Sequence, residues 1–417
     1  VAMISESGSS VDTMAEKQPA QLPADELPDK LWDVLVVGAG PAGSTAAFCL
    51  ASLGHEVLLL DAKRFPREKV CGDGLIPDTL RCLRRLGLFE AVRHRAHSLD
   101  NVVISSPNRT EIRLPGELLT LRREVFDHLL AAAAVAKGAC FGLGRVTGLS
   151  PMDSGGVRAE IGGGDSGARA RLAILATGAE VSLARKLGLI TRQRPTAVAG
   201  RHYVRSNFKV AGLVIAYDRS IVPGYAWIFP VGDGEYNIGC GQVLDGGGGP
   251  PADLRAMLET FETEYPLARA LMAGKTAVTP FKGGALRCGL QGAALCGDKV
   301  LAIGETIGAT FPFTGEGVGK AMETGELAAS VAHEALASDR ADYLRAFEQR
   351  IEEQVRPRYL GYTAAQKYLS MPWLNNLVIW RASRSRYLGK AFSGIVEDSV
   401  DPREVFSIKG LWKSLWG

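Results

Sequence analysis

An α/β chain, with one dinucleotide-binding βαβ unit, a separate antiparallel sheet and a helical C-terminal region, is predicted from three observations. From Trp32 onward an apolar strand, VLVV, runs into closely spaced glycines and then into a helical stretch. Residues 198–245 alternate apolar and polar side chains with turn residues between, as in HYVRS, LVIAY, YAWIFP and YNIGCG, which is the pattern of an antiparallel sheet. From about residue 343 to the end the chain reads as helical.

The elements follow in order. Residues 1–30 are rich in Ser, Ala, Pro and acidic side chains without apolar periodicity, and are expected to be a flexible segment outside the fold. The opening VAMISESGSS has the look of an expression remnant. After the first strand, a helix is expected over Ser44 to Leu53 and a second strand over Glu56 to Leu60. A helix near Asp78 to Leu86, strands at 101–106 and 111–114, and a helix from Arg123 to Lys137 come next. The strand LAILAT ends at Gly178; GDKVLAIGE supplies a buried strand at 298–305 and feeds a long helix from Glu316 to Leu336. The tract GGGG at 246–249 reads as a loop, and no internal repeat is visible. The expected division is a flexible segment 1–30, a discontinuous nucleotide-binding domain 31–197 and 280–340, an antiparallel-sheet substrate domain 198–279 and a helical region 341–417.

Bulk composition narrows the functional classes. The 417 residues are 46% hydrophobic and 22% charged, enough for a sizeable shared core. Basic and acidic residues, 48 against 45, are mixed along the chain, so nucleic acid is not an implied partner. The seven cysteines, odd in number, show no CxxC, which fits a reducing compartment. No apolar run reaches membrane-spanning length and the first 30 residues lack signal-peptide regions, so a cytoplasmic location is expected. The six histidines show no metal-ligand spacing, and no metal is expected.

In VLVVGAGPAG, Gly38, Gly40 and Gly43 stand at GxGxxG spacing, with Pro41 and Ala42 between them. Gly38 permits a tight turn, Gly40 lets the backbone approach a pyrophosphate, and Gly43 lets helix and strand pack closely. Asp61 closes the next strand, followed by Ala62, where a carboxylate can accept hydrogen bonds from an adenosine ribose. This is a Rossmann-type nucleotide site. A second glycine- and proline-rich turn, IGETIGATFPFTGEG, leads into the long helix, whose free N–H groups would face a flavin ring lying there. The plain alternative is a helix capped by Thr314; the two sites together favour FAD.

The set VGAGPAG, FPREKVCGDGL (65–75), RREVFD (122–127), YAWIFP (225–230) and IGETIGATFPFTGEG (303–317) resembles the geranylgeranyl reductase family, within the flavoprotein group that includes aromatic hydroxylases and flavin-dependent halogenases. The resemblance runs from Trp32 into the C-terminal helices. It implies an FAD-binding domain and reduction of C=C bonds in polyprenyl chains or quinone tails by hydride from reduced flavin. It further implies that Arg123, Lys69, Cys71 and Gly72 lie near the FAD, that Gly304 and Glu305 stand at a Gly-Asp pair binding the ribityl or ribose region, and that Pro312, Gly315 and Gly317 form the flavin turn. Glu305 is one methylene longer than the usual Asp. Gly178 ends Ala176-Thr177-Gly178, where relatives using NADPH often have Asp in the middle, so NAD(P)H and an external electron carrier or donor protein both stand as reductants.

Tyr225, Trp227 and Phe229 fall on one face of a strand, where the family's YxWxFP motif lines a lipid channel; the plain alternative is domain core. Cys71 is read as an active-site thiol, either a proton donor or a gate on flavin position. The stretches MPWLNNLVIWRASRSRYLGK and VFSIKGLWKSLWG mix Trp and Leu with basic residues, which suits peripheral membrane contact by an enzyme with a lipid substrate, or packing on the protein body. The competing reading is an FAD monooxygenase acting on an aromatic or carrier-bound substrate. Halogenation is disfavoured within that class, because no lysine occurs between 70 and 136 and Tyr225 and Phe229 replace the Trp and Ile of WxWxIP. A third reading, a non-catalytic flavin-binding protein, is disfavoured by the intact flavin motifs.

Overall fold

A computed structural model describes residues 19–162, 167–192, 194–221, 224–244, 253–312, 314–338, 341–369, 371–396 and 400. The glycine tract 246–249 and the segment VFSIKGLWKSLWG lie outside the described residues.

The first sheet is built on three parallel strands whose apolar runs are buried on both faces, as parallel strands covered by helices must be. Leu31–Val37 lies between Val57–Asp61 and Gly167–Leu175, with Val37 level with both Leu60 and Leu175. Val300–Ala302 pairs in parallel with the end of Gly167–Leu175. The register therefore brings Gly38, Asp61, Ala176–Gly178 and Gly304 to one edge, the C-terminal ends of the strands, where open α/β sheets bind ligands. The helix Pro41–Ser52 starts three residues earlier than the apolar pattern indicated, because Pro41 occupies the first turn, where no N–H is needed. It packs against the long helix Val318–Ser338.

The N-terminal segment differs from expectation from residue 19 onward. Leu22–Pro23 pairs in parallel with Cys140–Leu143 at the sheet edge, Ala24 and Leu27 pack on the core, and the Gln21 side chain bonds both N–H and C=O of Phe65. A two-residue strand carries no periodicity, so composition alone could not reveal it.

The second sheet runs in the order Lys275–Val278, Ala197–Ser206, Glu235–Val243, Tyr225–Gly232, Leu213–Ala216, His97–Ser105, Glu111–Thr120, Gly74–Leu75, and Lys282–Leu286 also pairs with Ala197–Ser206. It thus takes in chain from before and after residues 198–279. The link is the parallel pairing of Leu213–Ala216 with His97–Ser105. One face is covered by helices Leu254–Glu264 and Pro266–Ala273, whose Leu258, Phe261, Ala268 and Leu271 share a core with Ala226, Ile228 and Ile238. Side chains alternate along a strand, so Tyr225, Trp227 and Phe229 face the other way, toward the first sheet's ligand edge.

The C-terminal helices Arg356–Leu369, Pro372–Ala382 and Arg386–Val396 close this side. Ile379, Ala382, Leu388 and Phe392 pack on Ile112 and Leu114 of the second sheet.

Candidate active site

A continuous cavity of about 650 Å³ runs from the Gly38–Ala42 turn to the aromatic strand. At the nucleotide end the three glycines do different work. Gly38 has φ +104°, and a Cβ there would come within 2.3 Å of the Ala176 carbonyl oxygen. A Cβ on Gly43 would lie 1.8 Å from the Gly38 carbonyl oxygen. Gly40 instead faces open space, with Arg67 Nη2 at 3.7 Å as the only atom of the described residues within 4 Å of a Cβ there. Two glycines close the turn, and the third leaves room for a ligand at the helix N-terminus. Asp61 accepts from the Ala39 and Lys63 N–H groups at 2.9 Å each, which fixes its carboxylate beside that turn.

Sequence reasoning gave Arg67 no role, although it lies within FPREKV. Its guanidinium spans Asp127 Oδ2 at 3.1 Å and Asp61 Oδ2 at 3.4 Å, next to Gly40, and puts a cation where a pyrophosphate would lie. Arg123 is buried and forms a two-point pair with Asp127, Nε–Oδ1 2.6 Å and Nη2–Oδ2 2.9 Å. Burial opposes its charge, but Asp127 and Cys71 outweigh that and hold its pKa above the ordinary value.

At the far end of the first sheet Glu305 lines the cavity, its Oε1 accepting from the Arg287 N–H at 3.3 Å and its Oε2 lying 4.0 Å from Lys69 Nζ. Gly315, Gly317 and the first turn of Val318–Ser338 form the adjoining wall. Thr314 Oγ1 on that wall is buried without a hydrogen-bond partner among the described residues, a hydroxyl that a polar ligand would satisfy. The open face of Gly40, the flanking cation and this orphaned hydroxyl together fit an extended dinucleotide carrying a polar ring.

The third region is apolar. Tyr225, Trp227 and Phe229 line it as a tilted series, with neighbouring ring centroids 5.9 and 6.3 Å apart. Val102, Ile104, Leu213 and Ile215 lie around them, and Phe392 comes from a C-terminal helix. Gly315, at φ +69°, admits the Tyr225 hydroxyl, which a Cβ would meet at 2.4 Å. Burial holds the Tyr225 phenol above its ordinary pKa, so it stays protonated. Cys71 and Gly72 form the facing wall, and a Cβ on Gly72 would stand 3.1 Å from Phe229.

The cavity wall brings together Gly38, Gly40, Pro41, Ala42, Asp61, Ala62, Lys69, Cys71, Gly72, Arg123, Gly178, Tyr225, Trp227, Phe229, Glu305, Gly315 and Gly317. Gly43, Gly304 and Pro312 do not line it. Gly43 packs behind the turn, Gly304 sits where a Cβ would meet Ala42 at 2.8 Å, and Pro312 lies beside a small recess behind Tyr225 and Gly315.

These observations agree with comparison to known proteins. A family described as FAD binding domain matches residues 32–220. A menaquinone reductase of Mycolicibacterium smegmatis is 33% identical over 320 residues, 72% of this chain and 76% of the relative. Digeranylgeranylglycerophospholipid reductase 1 of Methanopyrus kandleri is 32% identical over 338 residues, 79% of this chain and 88% of the relative. A geranylgeranyl bacteriochlorophyll reductase-like protein of Thermoplasma acidophilum superposes with a TM-score of 0.75 at 22% identity, covering 93% of this chain and 96% of that one. A flavin-dependent brominase superposes with a TM-score of 0.74 at 19% identity, over 93% and 98% of the two chains, and so shares the fold. With its nucleotide turn, second glycine turn and relatives of this kind, the chain belongs to the geranylgeranyl reductase family of FAD-dependent oxidoreductases.

Proposed function

We propose that the enzyme reduces isolated C=C bonds of a polyprenyl chain, on a lipid or a quinone tail. The observation that carries this is the apolar slot formed by Tyr225, Trp227, Phe229 and Ile104 in the same cavity as the nucleotide turn. Bound FAD, once reduced, supplies hydride. An isolated alkene has no carbonyl to take up charge, so hydride must reach one carbon as a proton reaches its neighbour, in a site that excludes water. The three rings hold the chain flat and keep the site dry. Cys71, on the facing wall, is placed either to give the proton or to limit where the isoalloxazine rests.

Anaerobic photoreduction followed by mixing with geranylgeranyl lipids or menaquinones tests the reading. The expected result is reoxidation of the flavin with a gain of two mass units in the lipid. Failure of every such substrate, with oxygen and an aromatic compound giving a product heavier by one oxygen atom, would transfer the protein to the monooxygenase class.

A lipid substrate also favours peripheral contact with a membrane. Among the described residues no helix is long and apolar enough to cross one. Helix Pro372–Ala382 instead exposes Trp373, Leu377 and Trp380 at i, i+4 and i+7, with the Arg384 guanidinium 4.5 Å over the Trp380 ring. The helix packs between the two that contribute Tyr362 and Phe392 to the cavity wall. The pair Trp373→Ser and Leu377→Ser is expected to weaken cosedimentation with anionic vesicles about tenfold or more, since each large apolar side chain buried is worth about 1.5–3 kcal/mol. FAD content should be unchanged. Equal sedimentation of the two proteins would exclude this helix as the contact.

A further inference from the structure

The strand Glu235–Val243 carries Asn237, Gly239 and Gly241 at alternate positions, on the face that bears the aromatic rings. Its antiparallel neighbour sets Trp227 opposite Gly239 and Tyr225 opposite Gly241. The indole of Trp227 lies directly over Gly239, where a Cβ would meet its Cζ2 at 2.2 Å. It thereby reaches past Gly239, and its Nε1–H donates to Asn237 Oδ1 at 2.8 Å.

Asn237 is fully buried, and its amide nitrogen donates twice, to the Cys71 carbonyl at 2.7 Å and to Asp73 Oδ2 at 2.8 Å. The partners fix the orientation of the amide, because an indole can only donate and a carbonyl can only accept. Asp73, in turn, is fully buried at φ +67° and is held from the other side by the Tyr203 hydroxyl at 2.6 Å and by the Arg123 N–H at 3.2 Å. One amide therefore ties the Cys71–Asp73 turn on one wall of the slot to the aromatic ring on the other.

We propose that Asn237 is a positioning residue: it sets the separation and orientation of Cys71 and Trp227, and so the geometry in which the alkene is held. The role in turnover rests on the reductase reading; the geometric role does not. Asp, Ser and Ala cannot replace all three bonds. An ionised Asp would face Asp73 and has no donor, Ser is too short to bridge both walls, and Ala leaves the indole N–H and the Cys71 carbonyl without their partner.

The test uses the full chain loaded with FAD and carrying Asn237→Ala. Iodoacetamide labelling, resolved by peptide mass, is expected to rise about tenfold at Cys71, the change that freeing a wall held by one buried hydrogen bond gives. Labelling at the buried Cys82, Cys240 and Cys288 should be unchanged. With a polyprenyl substrate, kcat is expected to fall about tenfold or more at unchanged FAD stoichiometry, and the double variant with Trp227→Phe should lose less than the product of the two single losses. If Asn237→Ala is too unstable to purify, Trp227→Phe removes the indole N–H together with one ring of the indole while Asn237 stays in place, and the same selective rise at Cys71, though smaller, is expected. Unchanged Cys71 labelling overturns the proposal, and so does a rise shared by all four cysteines, which would mark a general loosening. Absence of any lipid turnover in the wild type would remove the reductase reading while the labelling contrast still decides the role of Asn237.

Discussion

Gly40→Val is expected to give folded, colourless protein. The backbone at Gly40 has φ −74° and ψ −175°, an extended conformation open to any residue, and an added side chain meets only the end of Arg67. The fold therefore tolerates it. The isopropyl group would nonetheless fill the space in front of the N-terminus of Pro41–Ser52, where the pyrophosphate must come close to the backbone. FAD per chain should fall from one to below about one tenth after desalting, which corresponds to affinity weakened at least hundredfold, or about 2.8 kcal/mol. Gly43→Val provides the contrast. Its Cβ would collide with the Gly38 carbonyl at 1.8 Å, so that variant should fail to accumulate as soluble protein. Absorbance at the flavin band and a thermal melt of each variant separate the outcomes, and stoichiometric FAD in Gly40→Val would overturn the site assignment.

Much of this site is local in the sequence, and that is why it could be read there. VLVV, VLLL and LAIL are continuous apolar runs because both faces of each strand are buried, and the glycine turn follows directly from the first. The long-range parts left weaker traces. In Glu111–Thr120, Pro115 interrupts the run, and a register shift between Leu99 and Asn101 breaks the alternation in its partner, so both strands were read too short. Their place in the second sheet depends on pairing with Leu213–Ala216, a hundred-odd positions away, which no local pattern encodes. The helix Leu254–Glu264 did leave a signal: Asp253 caps it by accepting from two N–H groups, and Leu254, Leu258 and Phe261 recur at helical spacing.

The same distinction applies within the cavity. Gly38 and Asp61 follow from strand, turn and helix in one stretch, whereas Gly315 is joined to them only by pairing two glycine turns far apart in the chain, and Glu305 gains its role only through the family resemblance. Asp73 lies within FPREKVCGDGL with no role legible from the sequence, yet it is a buried non-glycine residue at positive φ whose carboxylate organises the turn. Burial raises its pKa, while Tyr203, Asn237 and Arg201 work in the opposite direction. Nothing in a linear pattern separates such a residue from a spacer, because its partners come from positions 123, 203 and 237.

Cys71→Ala is expected to keep FAD and lose most alkene reduction. The Cys71 backbone is held through its carbonyl by Asn237, and Arg123 keeps its two-point pair with Asp127, so removing the thiol leaves the wall and the charge pattern around it in place. FAD stoichiometry and anaerobic photoreduction should match wild type. If the thiol gives the proton, turnover of a polyprenyl substrate should fall about 100-fold or more, the usual contribution of a positioned general acid. Cys71→Ser separates the two roles left open for this residue. A serine hydroxyl is a poorer acid of similar shape, so a proton-donor role predicts that Ser behaves much like Ala, whereas a gate set by side-chain bulk predicts that Ser restores much of the rate. Single-turnover reoxidation of photoreduced enzyme is the measurement of choice, since it isolates the step at the alkene from flavin reduction and product release. Wild-type rates in Cys71→Ala with a confirmed substrate would return this cysteine to a packing role and leave the proton to another group on the cavity wall, for which the protonated Tyr225 phenol is the next candidate.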